Sequence, residues 1–344
     1  MTTYDEQIIT FINNMNASDD LKIGYLILAH TDAPQLGKLV NTVDYKSRIF
    51  IHLDKKSNIN AFKDINLPKS AEFIWDRVPV YWGGISMVKA TLNLIKAALS
   101  SGEKFSHLVL LSGSDYPIKS AHSIYDFLTQ NSQRQFIRFI DMAMSPNPGM
   151  QRVLQYWYLE PFLPFEDKLI RTSLQKVLNF STRRKPFKDL RLAFGSQWWA
   201  ITPECAAFIL QFVEQNLEFL NFYKYAHCPD EHFFHTIVAN SPFLEAAGGF
   251  QEGIKWPHEV SNLTLNFEGR VLAEEDYGFL EDLHLNREPT KQRMSQELDA
   301  LMGTSITRGA FNYSSFFFAR KFTTKRSSKL LDLIDENLLS RSCV

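Results

Sequence analysis

Three short apolar runs, each ending in a polar loop and followed by a stretch of helical spacing, leave this chain little choice of architecture. They are Lys22–His30 (KIGYLILAH), Arg48–Asp54 (RIFIHLD) and Phe105–Ser112 (FSHLVLLS). A strand with one wet face alternates apolar and polar residues, whereas a run apolar at nearly every position belongs in a parallel sheet covered on both faces. Gln35–Val43 carries apolar residues at helical intervals, so residues 22–54 read as a βαβ unit. Phe73–Trp75 predicts a third strand, Met87–Leu99 a helix after Gly83 and Gly84, and Ser120 the start of another helix. The expected class is α/β, with a mostly parallel central sheet flanked by helices.

In open parallel sheets, ligands lie beyond the carboxyl ends of the strands. His30, Thr31, His52 and Asp54 therefore point toward one crevice, and the loop Ser112–Lys119, with Ser114 and Asp115, is a further candidate. An acid about twenty residues after the first strand resembles the ribose-binding acid of a dinucleotide fold. The first turn, Ala29–Pro34, nonetheless lacks Gly-x-Gly-x-x-Gly, which disfavours NAD and also a nucleotidyltransferase. Gly83–Gly84 permits close backbone approach, as a tight strand-to-helix turn or beside a ligand.

The 37 basic and 38 acidic residues nearly cancel, which excludes a nucleic-acid surface spread over the whole molecule. Cys205, Cys228 and Cys343 are far apart and odd in number, so neither a disulfide framework nor a thiolate zinc site is expected. Residues 1–20 lack the basic and apolar segments of a signal peptide, and no run reaches the ~18 apolar residues needed to span a bilayer. A cytoplasmic location is the expectation.

Chemistry concentrates at Cys228–His235 (CPDEHFFH). Pro229 suits a first helical position, so Glu231 is expected in a first turn, where backbone N–H groups and the helix dipole favour an ionised carboxylate. That suits a general base; it equally suits an acid that merely stabilises a helix. A third reading gathers His227, Glu231, His232 and His235 around a metal, as in a metal-dependent hydrolase. Their spacing is not the His-Glu-x-x-His of a zincin.

Six motifs in order then point to one family: His52-Leu-Asp-Lys-Lys-Ser57, Trp82-Gly-Gly-Ile-Ser86, Leu111-Ser-Gly-Ser-Asp-Tyr-Pro-Ile-Lys119, Gly195-Ser-Gln-Trp-Trp199, Pro229-Asp-Glu231 and Phe318-Ala-Arg-Lys-Phe322. The set resembles the core-2/I-branching β-1,6-N-acetylglucosaminyltransferases and peptide O-xylosyltransferases, with their bacterial relatives, over roughly residues 22–260 plus the last motif. The resemblance implies a GT-A type, Rossmann-like fold that binds a UDP-sugar and transfers the sugar with inversion, without the divalent metal that Asp-x-Asp motifs hold elsewhere. N-acetylglucosamine and xylose are the expected donor sugars, and an oligosaccharide or lipid-linked glycan, as in surface-polysaccharide biosynthesis, the expected acceptor.

Residue by residue, the resemblance implies Glu231 as the base. His30, Asp54, Tyr81, Trp82, Gly83, Ser114 and Asp115 line the donor, and Arg320 and Lys321 hold the diphosphate. A second phosphate-binding arginine is sought among Arg287, Arg293 and Arg308. Asp141 and Arg152 match an acid and an arginine that hold acceptor hydroxyls, or else form a surface ion pair. Trp199 and Trp256 offer sugar-stacking faces, although adjacent tryptophans on a strand point oppositely, so one of Trp198 and Trp199 is expected in the core.

The basic stretch Lys168–Arg191 is a solvated face or a contact for an anionic acceptor at the inner membrane surface. Lys325–Leu339 is expected as a capped amphipathic helix packed on the core. The expected organisation is a helical extension over 1–21, the transferase domain over 22–324 with a divergent segment at 267–317, and the C-terminal helix over 325–344. A catalytically silent glycan-binding protein is the remaining alternative.

Overall fold

A computed structural model describes residues 21–144, 149–160, 173, 176–177, 184–250, 262–266, 270–287 and 316–340. In chain order its elements are β1 (Lys22–Ala29), α1 (Ala33–Thr42), β2 (Ser47–Leu53), β3 (Ala71–Phe73), α2 (Ile85–Leu99), β4 (Phe105–Ser112), β5 (Asp115–Pro117) and α3 (Ala121–Gln130). There follow β6 (Ile140–Asp141), α4 (Gly149–Leu154), β7 (Ala193–Phe194), β8 (Ala200–Ile201), α5 (Pro203–Gln215) and α6 (Leu217–Tyr223). The last are α7 (Phe233–Ala239), β9 (Thr264–Asn266), α8 (Tyr277–His284), β10 (Phe318–Arg320) and α9 (Thr324–Ile334).

The central sheet runs β3-β2-β1-β4-β8, parallel except for the β4–β8 pair, so the α/β expectation holds. The continuous apolar runs resolve into two interleaved sets. Leu26, Leu28, Phe50, Leu108 and Leu110 face one core, shared with α2, α5 and α7. Ile23, Tyr25, Ile27, Ile49, Ile51, Val109 and Leu111 face a second, shared with α1, α3, α8 and α9. Alternation of side chains along each strand thus feeds both layers at once, which favours apolar residues at nearly every position. Within the segment 267–317, residues Leu272, Phe279, Leu280 and Leu283 belong to the second core.

The first loop is closed by a side chain of the chain itself. Asp32, in left-handed backbone geometry at φ 57°, caps α1 by accepting from the Gln35 N–H and also takes hydrogen bonds from the Thr324 N–H and hydroxyl. A carboxylate thus sits at the helix N-terminus, where a pyrophosphate would need to be. The C-terminal helix is capped by Thr323 and buries Leu330, Leu331 and Ile334, as its amphipathic pattern predicts. Among the described residues no helix is long and apolar enough to cross a membrane.

Two core histidines set an acid limit on stability. His107 bonds Ser106 Oγ and the Arg134 carbonyl, and His235 bonds the Ser196 carbonyl; burial pushes both imidazoles down to about 4 from 6.5. Between those values the unfolded chain binds protons that the folded chain excludes. Their contribution is therefore complete above pH 6.5 and falls on acidification, by up to about 1.4 kcal/mol per pH unit for each. Urea midpoints measured from pH 7 to pH 5 are expected to drop accordingly, and His107→Gln to flatten the fall.

Candidate functional site

Two clusters meet at the carboxyl ends of the strands. The first surrounds Glu231. Cys228, left-handed at φ 49°, turns the chain into a single 3₁₀ turn, Pro229–Glu231, and α7 begins only at Phe233. Glu231 thus precedes the α-helix, so the expected helix-dipole support is replaced by a side chain: Arg152 Nη1 donates to Glu231 Oε2 at 2.6 Å. Burial raises the Glu231 pKa, and the charge and hydrogen bond of Arg152 oppose that rise. Because 30% of its side chain remains exposed, the burial effect is partial. Asp230 next to it is buried; desolvation and the Glu231 charge both push its carboxyl up.

Backbone contacts hold this turn on two sides. The Cys228 N–H donates to the Gly83 carbonyl at 2.9 Å, and the Gly195 N–H to the Glu231 carbonyl at 2.9 Å. Both glycines are required. Gly83 has φ 72°, and a Cβ on Gly195 would lie 2.2 Å from the Arg138 carbonyl oxygen and 2.8 Å from the His235 ring. Gly195→Ala is accordingly expected to cost about 1–3 kcal/mol through overpacking and to lower turnover by moving Glu231. Thermal unfolding and steady-state rates measured together check this; an unchanged rate in a folded variant would show that the Gly195 contact does not position the base.

The second cluster lies across the ends of β1, β2, β4 and β10. His30 is exposed, and its pKa is lowered first by partial burial, raised by Asp54, and lowered by Lys321 and Lys56; the Ser57 hydroxyl donates to the His30 carbonyl at 2.7 Å, tying the loops after β1 and β2 together. Asp54 Oδ1 accepts from the Lys56 and Val80 N–H groups at 2.9 and 3.2 Å, shaping the loop. Lys56 Nζ lies 4.2 Å from the Tyr81 ring centroid. The Ser114 carbonyl accepts from the Phe322 N–H, tying the β4–β5 loop to the segment after β10.

Asp115 and Arg320 face each other directly across the β5–β10 pair, both buried, with Nε and Oδ1 3.2 Å apart. Asp115 Oδ2 accepts from the Ser112 N–H, and the guanidinium lies 3.9 Å from the Trp198 ring centroid. Of the Arg320–Lys321 pair, only Lys321 reaches solvent. Sequence reasoning missed Arg270: its carbonyl accepts from the Lys321 N–H at 3.1 Å, and its guanidinium pairs with Asp276 at 2.8 Å. A contact across 51 positions leaves no mark in local sequence. Arg287 follows α8 and is exposed; Arg293 and Arg308 lie outside the described residues.

Several expected acceptor residues are placed differently. Trp199, expected as a stacking face, is 1% exposed and packs on Phe234 in the core; Trp198 carries the contact with Arg320. Trp256 lies outside the described residues. Asp141 and Arg152 do not pair with each other, because Asp141 takes Arg191 at 2.6 Å while Arg152 takes Glu231. Trp82 sits on the Glu231 side, against His227, while Tyr81 lies over Lys56. Within the basic stretch Arg184 is half-buried and donates to the Val153 carbonyl, whereas Lys176, Lys185, Lys188 and Arg191 are exposed, Lys188 donating to Asn216 and Arg191 to Asp141.

The four-residue metal reading is not supported. His232 packs between Phe194 and Tyr223, His235 faces Ser196, and His227 lies against Trp82 and Trp157. Among the described residues no group of three or more His, Cys, Asp or Glu side chains converges as a metal site.

Comparison with known proteins gives a consistent placement. A family model described as Core-2/I-Branching enzyme matches residues 23–255. Xylosyltransferase 2 of Rattus norvegicus is 26% identical over 235 residues, 66% of this chain and 25% of that protein. A human N-acetyllactosaminide beta-1,6-N-acetylglucosaminyl-transferase is 24% identical over 221 residues, 62% of this chain and 52% of that protein. The chain thus aligns with about a quarter of the length of the xylosyltransferases it matches. The apo crystal structure of mouse xyloside xylosyltransferase 1 aligns over 75% of this chain and 92% of that one at 12% identity and TM-score 0.29.

Proposed function

The chain belongs to the Core-2/I-Branching enzyme family, and on that premise we propose that it is an inverting, metal-independent glycosyltransferase of GT-A type that moves a sugar from a UDP-sugar to a hydroxyl of a glycan. The observation that carries the reading is Glu231: a partly exposed carboxylate fixed by Arg152 at 2.6 Å and by the Gly195 contact. Glu231 takes the proton of the acceptor hydroxyl as that oxygen forms its bond to the anomeric carbon. On the opposite face the bond from that carbon to the phosphate oxygen breaks, and its electron pair leaves with UDP. Lys321, at the rim of the donor cluster, stabilises the charge that develops there. His30, Asp54, Tyr81 and Ser114 frame the nucleotide. Relatives named for xylosyl and N-acetylglucosaminyl transfer support xylose and N-acetylglucosamine as the donor sugars to test first.

The test is a panel of UDP-sugars assayed for UDP release and thermal stabilisation in EDTA and again with Mn²⁺. Response to one donor in EDTA is expected. Activity only with Mn²⁺ would overturn the metal-free mechanism, and no response to any donor would favour the glycan-binding alternative.

Arg152 sets the acid limit of the reaction. Removing its charge leaves burial of Glu231 unopposed, so the pKa of the base rises. Arg152→Gln is expected to shift the acid limb of kcat/KM to higher pH, because the base must be ionised to act. A pH–rate profile checks this; an unmoved limb would separate Arg152 from the titration of the base.

A further inference from the structure

The Arg152–Glu231 pair is bordered by aromatic rings that the donor cluster does not use. Residues 156–160 run alongside the Gly83–Gly84 turn. A Cβ on Gly83 would meet Leu159 at 3.3 Å, and the Glu160 carboxylate accepts from the Ser86 N–H. Alternate side chains of this segment diverge. Tyr156 and Tyr158 pack on Tyr225, whereas the Trp157 ring meets His227 at 4.7 Å between centroids. On another side of His227 stands Trp82, 6.0 Å away, edge to face and 77% exposed. The row is tied to the base, since the His227 N–H donates to the Arg152 carbonyl at 2.8 Å and the Trp157 N–H to the Tyr225 carbonyl at 2.9 Å. Burial, and then the Arg152 charge, lower the His227 pKa.

We propose that Trp82, His227 and Trp157 form a stacking subsite for a neutral pyranose of the acceptor, beside the Arg152–Glu231 pair. The proposal rests on the transferase reading and supplies its acceptor class. A pyranose offers an apolar face of C–H groups and a rim of hydroxyls. Aromatic rings suit the first, and a guanidinium beside a carboxylate suits the second as donor and acceptor. An exposed indole with one edge anchored and its surroundings hydrogen-bonded meets the first need at little cost in ordering.

The experiment uses the full chain with UDP and three probes: methyl β-D-glucopyranoside, methyl β-D-galactopyranoside and methyl β-D-xylopyranoside. Saturation-transfer difference NMR reads which sugar protons touch the protein, and calorimetric titration gives Kd for the sugars and for UDP. At least one pyranoside is expected to bind with transfer concentrated on one C–H face. Trp82→Ala and Trp157→Ala are expected to weaken it roughly tenfold, while Trp157→Phe retains most of the binding. UDP affinity is expected to be unchanged in both alanine variants, provided circular dichroism shows them folded.

Equal pyranoside binding by wild type and variants overturns the proposal. So does a wild-type protein that binds UDP and none of the sugars. Loss of UDP binding in Trp82→Ala with sugar binding intact would return Trp82 to the donor. A chain that binds pyranosides through these rings but no UDP compound would instead overturn the transferase reading and leave the subsite standing.

Discussion

Glu231→Gln is expected to reduce kcat by about 10²–10⁴-fold while leaving UDP affinity within a factor of about two. Glutamine keeps the shape of the side chain, and its carbonyl oxygen can still accept the hydrogen bond that Arg152 gives to Oε2. What it loses is the capacity to take a proton. On the proposed reading the nucleotide contacts belong to the other cluster, around His30, Asp54 and Lys321, so donor binding is expected to be separable from the loss. Steady-state UDP release with acceptor present, set beside calorimetric titration of UDP, measures both halves of the claim. Turnover within tenfold of wild type would place the base elsewhere. Loss of UDP binding would show that the two clusters do not act independently.

The second large effect is on stability. Asp115→Ala is expected to cost about 3–5 kcal/mol, because it leaves the Arg320 guanidinium buried without its counter-charge. The Ser112 N–H loses its acceptor in the same step. Desolvation pushes the Asp115 carboxyl up, and the Arg320 charge and the Ser112 N–H oppose that rise. The pair also joins β5 to β10, and Lys321 follows directly on β10. UDP affinity is therefore expected to fall with stability in this variant. Replacing both partners together, as Asp115→Leu with Arg320→Met, is expected to recover a large part of the lost stability, since no buried charge is then unpaired. Urea unfolding of the single and double variants decides the matter; a cost below about 1 kcal/mol for Asp115→Ala would mean that water or another group takes over the guanidinium.

The part of this architecture most legible in the sequence was the part made by local pattern. The three apolar runs became β1, β2 and β4, because strands covered on both faces must be apolar at nearly every position, and Ser120, read as a helix start, caps α3. A crevice at the strand ends was expected from the parallel sheet itself, and the fold sets the Asp54 loop against the end of β1, where the Asp54 N–H donates to the Ala29 carbonyl. Features made by pairing between distant segments were not legible. The Phe318–Arg320 segment inserts between β5 and β9, so that Arg320 turns inward and Lys321 outward. Two adjacent tryptophans on a strand would point to opposite sides, but Trp198 and Trp199 precede β8 and are both buried in the first core, Trp198 beneath the Arg320 guanidinium and Trp199 against Phe234. Asp141 and Arg152 were linked by the resemblance, with a mutual ion pair as the other reading, and the fold gives each a different partner. The Glu231 turn was read as a helix start, whereas the left-handed Cys228 and a 3₁₀ turn place the acid ahead of α7.

The seam between the first loop and the last helix has a consequence for how the chain is made. Asp32 receives both hydrogen bonds from Thr324, 292 positions later, and Lys38 pairs with Asp332 and Asp335. At about 5–20 residues per second of synthesis, the first βα unit would emerge from the ribosome on the order of 15–60 s before the segment that closes over it. Through that interval α1 and the far face of β1 would present Ile23, Tyr25 and Ile27 without α9 above them. A nascent chain stalled before residue 324 is thus the form in which this protein would most need a chaperone.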